Sequence, residues 1–240
     1  MKNNICIITA KGNNTTLKNK NLIKIGKHLS MEWQIRAAQK SKLIDEIYVT
    51  TEDDKIKNVA LENNVKVIDR PLQLSQPDSN HSDVIEHAIL SIGKKHATID
   101  TVTILLGNTV MVSEDDIDNN INKLLNDHNA DSAMTVWVAQ DDHPLRAMKI
   151  NKLGYLESYL NVENLSSNRQ SYEKVVFYDQ GPWTLKYENY LKNYKLKIGP
   201  GPWNWMGKNS IPVERVWVTG RDTHTDFDLN ISEWFIKNYK

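Results

Sequence analysis

The stretch Ile5-Cys6-Ile7-Ile8-Thr9-Ala10-Lys11-Gly12-Asn13-Asn14-Thr15-Thr16-Leu17-Lys18-Asn19-Lys20-Asn21-Leu22 decides the reading of the fold. A short apolar run, Ile5 to Ile8, stops abruptly in a small polar loop punctuated by Lys11, Lys18 and Lys20. Such a run predicts a strand buried on both faces. Gly12 allows the loop backbone to approach a ligand closely, and the ammonium groups suit a polyphosphate. Ligands of open α/β sheets bind beyond the carboxyl ends of the strands. Strand and cationic loop together therefore point to a nucleotide-binding α/β enzyme, whereas the loop by itself fits a solvated surface turn equally well. Neither G-x-x-x-x-G-K-[ST] nor G-x-G-x-x-G occurs, which excludes a P-loop and argues against an ordinary dinucleotide site.

Working outward, the first half alternates strand and helix. A helix is expected over Ser30 to Lys42, a strand over Asp45 to Thr51, and an acid-capped helix from Glu52-Asp53-Asp54 through Glu62. Val65 to Ile68 is a third strand, and Ser82 to Ile92 a helix with Val84, Ile85, Ala88 and Ile89 inward. Thr101 to Leu106 is the strongest strand, running into Gly107-Asn108-Thr109. Ser113-Glu114-Asp115-Asp116 caps a helix carrying Ile117, Ile121, Leu124 and Leu125, and Ala133 to Ala139 is another strand. This alternation predicts a mostly parallel sheet covered on both faces. From Gln140 to about Phe177 the pattern weakens into short β pieces, such as Ala147 to Ile150, with turns at Asn151 and Gly154. Gly199 to Lys208 reads as an irregular aromatic loop around Trp203 and Trp205. A strand at Val216-Trp217-Val218, a polar loop to Asp226 and a helix through Phe235 close the chain.

The 240 residues suit one sizeable domain, or one with an appendage. Thirty basic residues balance thirty acidic ones, so the overall basic charge of a general nucleic-acid binder is missing. The single cysteine, Cys6, reads as a small core hydrophobe and suits a reducing cytoplasm. No stretch has the layout of a signal peptide or the length of a membrane span.

Five blocks, taken in order, carry more than composition does. They are Ala10 to Asn21; Arg70-Pro71 followed by Ser79-Asn80-His81-Ser82-Asp83-Val84; His143-Pro144-Leu145-Arg146; Arg169-Gln170 upstream of Gln180-Gly181; and Arg221-Asp222-Thr223-His224-Thr225-Asp226-Phe227. Across most of its length the chain thereby resembles the CMP-acylneuraminate synthetases and related cytidylyltransferases. Their opening loop reads A-R-G-G-S-K-x-I-x-x-K-N. Ala10, Gly12, Lys20 and Asn21 match it, Lys11 stands for the Arg without its bidentate fork, and Asn13, Asn14 and Thr15 depart from it.

The resemblance implies a three-layer, Rossmann-like nucleotidyltransferase α/β fold within one domain, residues 1–240, with a β-rich dimerisation insertion at 140–177. It implies transfer of CMP from CTP to an anionic acceptor by a Mg²⁺-dependent homodimer. Lys11 and Lys20 would clamp the triphosphate, with Ala10, Gly12 and Asn21 beside the nucleotide. Arg70, Asn80 and His81 would read the cytosine. Arg146, Arg169 and Gln170 would hold the acceptor, with Asn108 and Lys208 as further contacts. Lys20 and Asp222 would be catalytic, and Asp222 would bind the metal. The sialic-acid enzymes carry a second Asp two positions before Asp222, where this chain has Gly220. They also read Q-P-T-S-P-L-R after the central strand, where this chain has Gly107-Asn108-Thr109-Val110-Met111-Val112. That departure resembles the branch using phosphonate or phosphate acceptors.

Each residue also has a structural alternative. Lys20 reads equally as a solvated lysine, and Asp222 as a cap of the final helix together with Asp226. Arg70 fits a surface turn, Arg146 and Arg169 fit a solvated face, and His81 and His143 fit packing roles. Trp203 and Trp205 suit packing or a lid over the acceptor. A phosphonate or phosphate oxygen is already nucleophilic, whereas a sugar hydroxyl benefits from a base, and no convincing base stands out. The expected acceptor is therefore a small phosphonate or phosphate. The alternatives are a 2-keto-3-deoxy sugar acid, a weakened nucleotide-binding homologue, and a plain interaction protein.

Overall fold

The structure, a computed structural model, describes residues 3–12, 17–162, 164–196, 198–199 and 203–239. Asn13, Asn14 and Thr15, and Pro200 to Pro202 of the aromatic loop, lie outside the described residues. In chain order the first elements are β1 (Asn4–Thr9), β2 (Lys24–Ile25), β3 (His28–Leu29), α1 (Ser30–Lys40), β4 (Glu46–Thr51), α2 (Asp54–Glu62) and β5 (Lys66–Asp69). Then come α3 (His81–Gly93), β6 (Thr101–Leu106), α4 (Glu114–Asn126), β7 (Ser132–Val138), β8 (Met148–Ile150) and β9 (Leu156–Ser158). The chain closes with β10 (Val176–Lys186), α5 (Tyr187–Leu196), β11 (Ser210–Glu214) and α6 (Asp226–Tyr239).

Among the described residues seven strands form the main sheet, in the order β11-β7-β10-β6-β1-β4-β5. β1 pairs parallel with both β4 and β6, β4 with β5, and β7 with β11, while β10 runs antiparallel between β6 and β7. Alternation along β1 divides its side chains between two cores. Ile5 and Ile7 pack with Tyr48, Ile85, Ile89 and Leu185, on the face covered by α3 and α5. Cys6 and Ile8 pack with Ile35, Val49, Ile56 and Ile117, on the face covered by α1, α2 and α4. The three-layer α/β arrangement is thus the expected one, and Cys6 is fully buried, where desolvation raises its thiol pKa. Helix starts follow their signals. The Asp53 carboxylate accepts from the Lys55 and Ile56 amides, and Ser113 and Asp116 form a capping box.

Three expectations are corrected. β10 and α5 occupy a region the sequence pattern leaves unassigned, because Gly181-Pro182 interrupts the strand at a register shift between Tyr178 and Trp183. Gln180-Gly181, a turn by the family resemblance, accordingly lies inside a strand. The last sheet strand is β11, one turn earlier than Val216-Trp217-Val218. Trp217 begins a 3₁₀ turn to Gly220, and Val216 and Trp217 are exposed.

Arg215 accounts for that turn. Its guanidinium is buried, donates to the carbonyls of Gly181, Met111 and Thr219, and lies 3.2 Å from both Asp116 Oδ1 and Asp179 Oδ2. Bonding to Thr219 curls the chain back immediately after β11. Burial raises the pKa of the Asp179 carboxyl, and the charge of Arg215 together with bonds from Thr135 and Gly181 opposes that shift. Removing one partner of such a pair leaves an unpaired buried charge, which typically costs about 3–5 kcal/mol. Arg215→Ala is expected to lose stability on that scale in urea denaturation, with Asp179→Asn in the Arg215→Ala background recovering part of it.

Candidate active site

The carboxyl ends of β1, β4 and β6 open into a cleft of about 340 Å³. Lys11, Lys20, Asn21, Arg70, His81, Asn108 and Asp222 line it, joined by Thr9, Leu74, Gln76, Ser79, Val84, Leu106 and His224. Residues from four separate stretches of the sequence, 9–21, 70–84, 106–108 and 222–224, therefore meet at one edge of the sheet.

The first wall is the lysine loop. Gly12 crosses directly over the start of α2: a Cβ there would stand 2.2 Å from Asp53 Oδ2, so only glycine allows the crossing. Asn21 is buried, and its amide donates to the Lys11 carbonyl at 2.9 Å, which closes the loop on itself. Burial lowers the pKa of the Lys20 ammonium; Asp222 opposes that shift and Lys11 reinforces it. Lys18, by contrast, is exposed and does not line the cleft. Ala10 is 2% exposed and lies beneath the loop as packing.

The second wall follows β5. Arg70 is buried, and its Nη2 donates to the Thr50 carbonyl at 2.6 Å. Burial lowers its pKa to about 10, with Glu52 opposing, so the guanidinium stays charged at neutral pH. His81 is exposed and lines the cleft at the start of α3. Its Nε2 lies 3.1 Å from Thr9 Oγ1, and its ring meets Trp183 edge to face. Desolvation by the surrounding protein, then the Arg70 charge, holds its pKa well below the usual histidine range, so the imidazole is neutral at neutral pH. Asn80 is exposed at the N-cap of α3, between two lining residues, and does not itself line the cleft.

The third wall joins the loop after β6 to the segment before α6. Asn108 Nδ2 donates to Asp222 Oδ2 at 3.1 Å and to the Thr223 carbonyl at 3.2 Å, and the Asn108 carbonyl accepts from the Thr223 amide. The Asn108 amide group is thus committed to holding Asp222. His224 Nε2 lies 2.6 Å from the same Oδ2. Both contacts fall on one oxygen, and Oδ1 has no partner among the described residues. Asp228 braces the start of α6, accepting from the His224 and Thr225 amides and from Arg221. Asp222 is therefore not the helix cap; Thr225 and Asp228 form the capping box of α6.

No group of three or more His, Cys, Asp or Glu capable of holding a metal occurs among the described residues. Asp222 lines the cleft and its bonds among the described residues leave one carboxylate oxygen open, which fits an ion such as Mg²⁺ that takes one or two carboxylates plus substrate phosphates. The position of a second Asp is closed. A Cβ on Gly220 would stand 2.4 Å from the Asp179 Cβ, in the space of the carboxylate that Arg215 clasps.

The remaining expected residues sit elsewhere. Arg146 and Arg169 both donate to Asp141 Oδ1, at 3.1 and 3.0 Å, in the segment between β7 and β10, with Gln170 beside them. That segment leaves β7 at the sheet edge that bears the cleft, but none of the three lines it. Lys208 bonds through its amide to Asp131, just before the amino end of β7. It therefore lies at the opposite sheet edge and does not reach the cleft of its own chain. His143 is buried against Tyr172, a packing role. His224, Ser79 and Gln76 were not singled out as site residues; only His224 carries a signal, its place within the block around Asp222.

With the geometry in place, comparison with known proteins is informative. The profile of the family described as cytidylyltransferase matches residues 5–199. The chain belongs to the cytidylyltransferase family. A curated relative, the pseudaminic acid cytidylyltransferase of Campylobacter jejuni, is 29% identical over 114 residues, 47% of this chain and 49% of that protein. The match thus spans about half the length of that relative. A solved CMP:2-keto-3-deoxy-manno-octonic acid synthetase complexed with CTP has a TM-score of 0.72 at 14% identity, over all of both chains. A 4-diphosphocytidyl-2C-methyl-D-erythritol synthase from Anaerococcus prevotii has a TM-score of 0.65 at 16% identity, covering 99% of this chain and 97% of that one. At these identities the two structures establish the family's fold for this chain.

Two predictions follow from the third wall. Gly220→Asp is expected to cost about 1–3 kcal/mol by overpacking, without strengthening Mg²⁺-dependent CTP binding; denaturant titration and calorimetry measure the two effects. Asp228 has its pKa lowered to about 2, burial being outweighed by bonds from Arg221, Thr225 and His224. Its stabilisation, about 2 kcal/mol, is present above the unfolded carboxyl pKa and is lost as pH falls from about 4 to about 2. Asp228→Asn should flatten that part of the stability profile.

Proposed function

We propose that the protein transfers CMP from CTP to an anionic acceptor, releasing pyrophosphate. The observation that carries this reading is the convergence of Lys11, Lys20, Arg70 and Asp222 on one cleft, in a chain of the cytidylyltransferase family. An acceptor oxygen attacks the α-phosphorus of CTP, and the bond from that phosphorus to the bridging oxygen breaks. The electron pair leaves with pyrophosphate. Such a transfer needs in-line positioning and neutralised charge more than covalent help from the protein. Lys11 and Lys20 offset the charge that grows on the leaving group, while Arg70 and the loop after it hold the base. Asp222, fixed by Asn108 and His224, would hold Mg²⁺, which supplies further charge neutralisation on the triphosphate when bound.

The acceptor proposed first is a small phosphonate or phosphate. The neutral, low-pKa His81 is a poor base, and the carboxylate of Asp222 is engaged in bonds from Asn108 and His224, so an acceptor with its own oxyanion suits the cleft. A 2-keto-3-deoxy sugar acid is the second reading. It is favoured by the named relative and by the half-exposed His224 ring, a base within reach of an acceptor hydroxyl.

We further infer a homodimer joined through the 140–177 insertion of a single domain. Its hairpin and the segment after it leave Met148, Ile150, Leu153, Tyr155, Leu156 and Tyr159 more than half exposed, an apolar surface of the kind that marks an interface. Arg146 and Arg169 would then serve the acceptor from a dimer-supported arm. No helix among the described residues is long and apolar enough to cross a membrane.

Pyrophosphate release from CTP is the test, run against alkyl phosphonates, phosphomonoesters and 2-keto-3-deoxy sugar acids. Release with the phosphorus acceptors alone is expected; release with sugar acids alone selects the second reading. Asp222→Asn and Lys20→Ala are each expected to lower turnover about 100-fold or more, the scale of a lost charge-stabilising contact, with unchanged melting temperature.

A further inference from the structure

Lys11 and Arg70 stand on opposite walls of the cleft, and a single buried carboxylate joins the loops that carry them. Glu52 follows the last residue of β4. Its Oε1 accepts from the Gly12 amide at 2.8 Å, and its Oε2 accepts from Ser75 Oγ at 2.7 Å. Arg70 Nη1 lies 3.9 Å from the same Oε2, with both side chains almost wholly enclosed. Every partner of Glu52 bears on the cleft. Gly12 follows Lys11, Ser75 stands between Leu74 and Gln76, and Arg70 lines the cleft directly.

The two arms differ in what they steady. On the phosphate side, Gly12 has no side chain of its own, and it passes over Asp53 with no room for one. Its amide bond to Glu52 is a fixed point of the loop between Lys11 and Lys20. On the base side, Leu72–Ser75 is a single 3₁₀ turn, in which Ser75 is buried and Leu72 is exposed. Ser75 is therefore the anchor of that turn. Burial by itself would raise the Glu52 pKa; bonds from Ser75 and Gly12 and the charge of Arg70 bring it below the ordinary value. The carboxylate is thus charged while both loops stand in place.

We propose that Glu52 is a positioning residue that couples the base-side loop to the phosphate loop, so that a cytosine seated against the 70–79 wall tightens the grip of Lys11 and Lys20 on its triphosphate more than a uracil does. This rests on the nucleotide site proposed above. Glu52 touches no reacting atom. It makes selectivity for the base and affinity for the phosphates a shared property of two loops more than fifty residues apart in sequence.

The experiment measures CTP and UTP affinities, with Mg²⁺, by calorimetry on the full chain and on Glu52→Ala, Glu52→Gln and Ser75→Ala. Glu52→Ala is expected to lose about tenfold in CTP affinity, the worth of one charge-assisted hydrogen bond, with a smaller loss for UTP. Glu52→Gln keeps an acceptor for Gly12 and a partner for Ser75, and should hold CTP affinity within about threefold. Should Glu52→Ala fail to fold, Ser75→Ala severs only the base-side arm, and is expected to narrow the preference for CTP at an unchanged melting temperature. Equal proportional losses for both nucleotides, or no loss, would overturn the coupling while leaving the nucleotide site in place. Failure of the unaltered chain to bind CTP would overturn the nucleotide site itself, and the coupling with it.

Discussion

Parallel pairing of β1 between β4 and β6 is the constraint on which the rest depends. It sets the carboxyl ends of three neighbouring strands at one edge, where each strand gives way to a loop and its last backbone groups need new partners. Short bonds between loops meet part of that need: the Ala10 amide donates to Thr50, and the Gly107 amide to Thr9. Side chains meet the rest. Arg70 donates to the Thr50 carbonyl, Ser30 to that of Gly107 and Asn21 to that of Lys11. The polar residues that complete the sheet are therefore the ones that shape the cleft. Arg70 and Asn21 belong to both sets, so nucleotide contact and structural support cannot be separated at these positions by inspection of the sequence.

A second constraint lies beside the cleft and closes the position of a second carboxylate next to Asp222. Asp179 is drawn inward at the irregularity in β10 and clasped by Arg215, which also stitches β11, the loop at Met111 and the turn at Thr219 together. That clasp fills the volume next to Gly220, so a side chain at 220 and the Arg215–Asp179 pair are mutually exclusive in this packing. The absence of a second carboxylate is thus a requirement of the core rather than erosion of the site. It argues against taking Gly220 as a mark of a weakened homologue.

The sequence disclosed the parallel half of the fold well, because buried parallel strands are continuous apolar runs and their helices begin at acidic or Ser caps. β1, α2, α4 and β6 are found within a residue of their expected limits. It disclosed β10 poorly, because Gly181-Pro182 breaks the pattern in mid-strand, and it placed the last strand too late, because the aromatic run at Trp217 belongs to the surface. For the site, the blocks around Lys11, Arg70 and Asp222 were legible through the resemblance of their motifs to those of the family. The roles within them were not. Asn108, expected as an acceptor contact, also bonds to Asp222, and the start of α6 is capped by Thr225 and Asp228 rather than by Asp222. Such assignments turn on hydrogen-bond partners that lie up to 115 residues away, beyond the reach of any local pattern.

These relations explain why the lysine loop identifies the reaction better than the acceptor. Lys11, Lys20, Asn21 and Arg70 answer to charge and to the sheet edge, and both are common to any transfer from a nucleoside triphosphate on this fold. The acceptor end is built from other material. Arg146 and Arg169, the proposed acceptor contacts, are held on Asp141 in a segment with an exposed apolar surface and do not line the cleft. On the proposed reading, acceptor contacts reside in that segment and the phosphate grip in the lysine loop, so the acceptor is found by measurement rather than from the motif that points to the nucleotide.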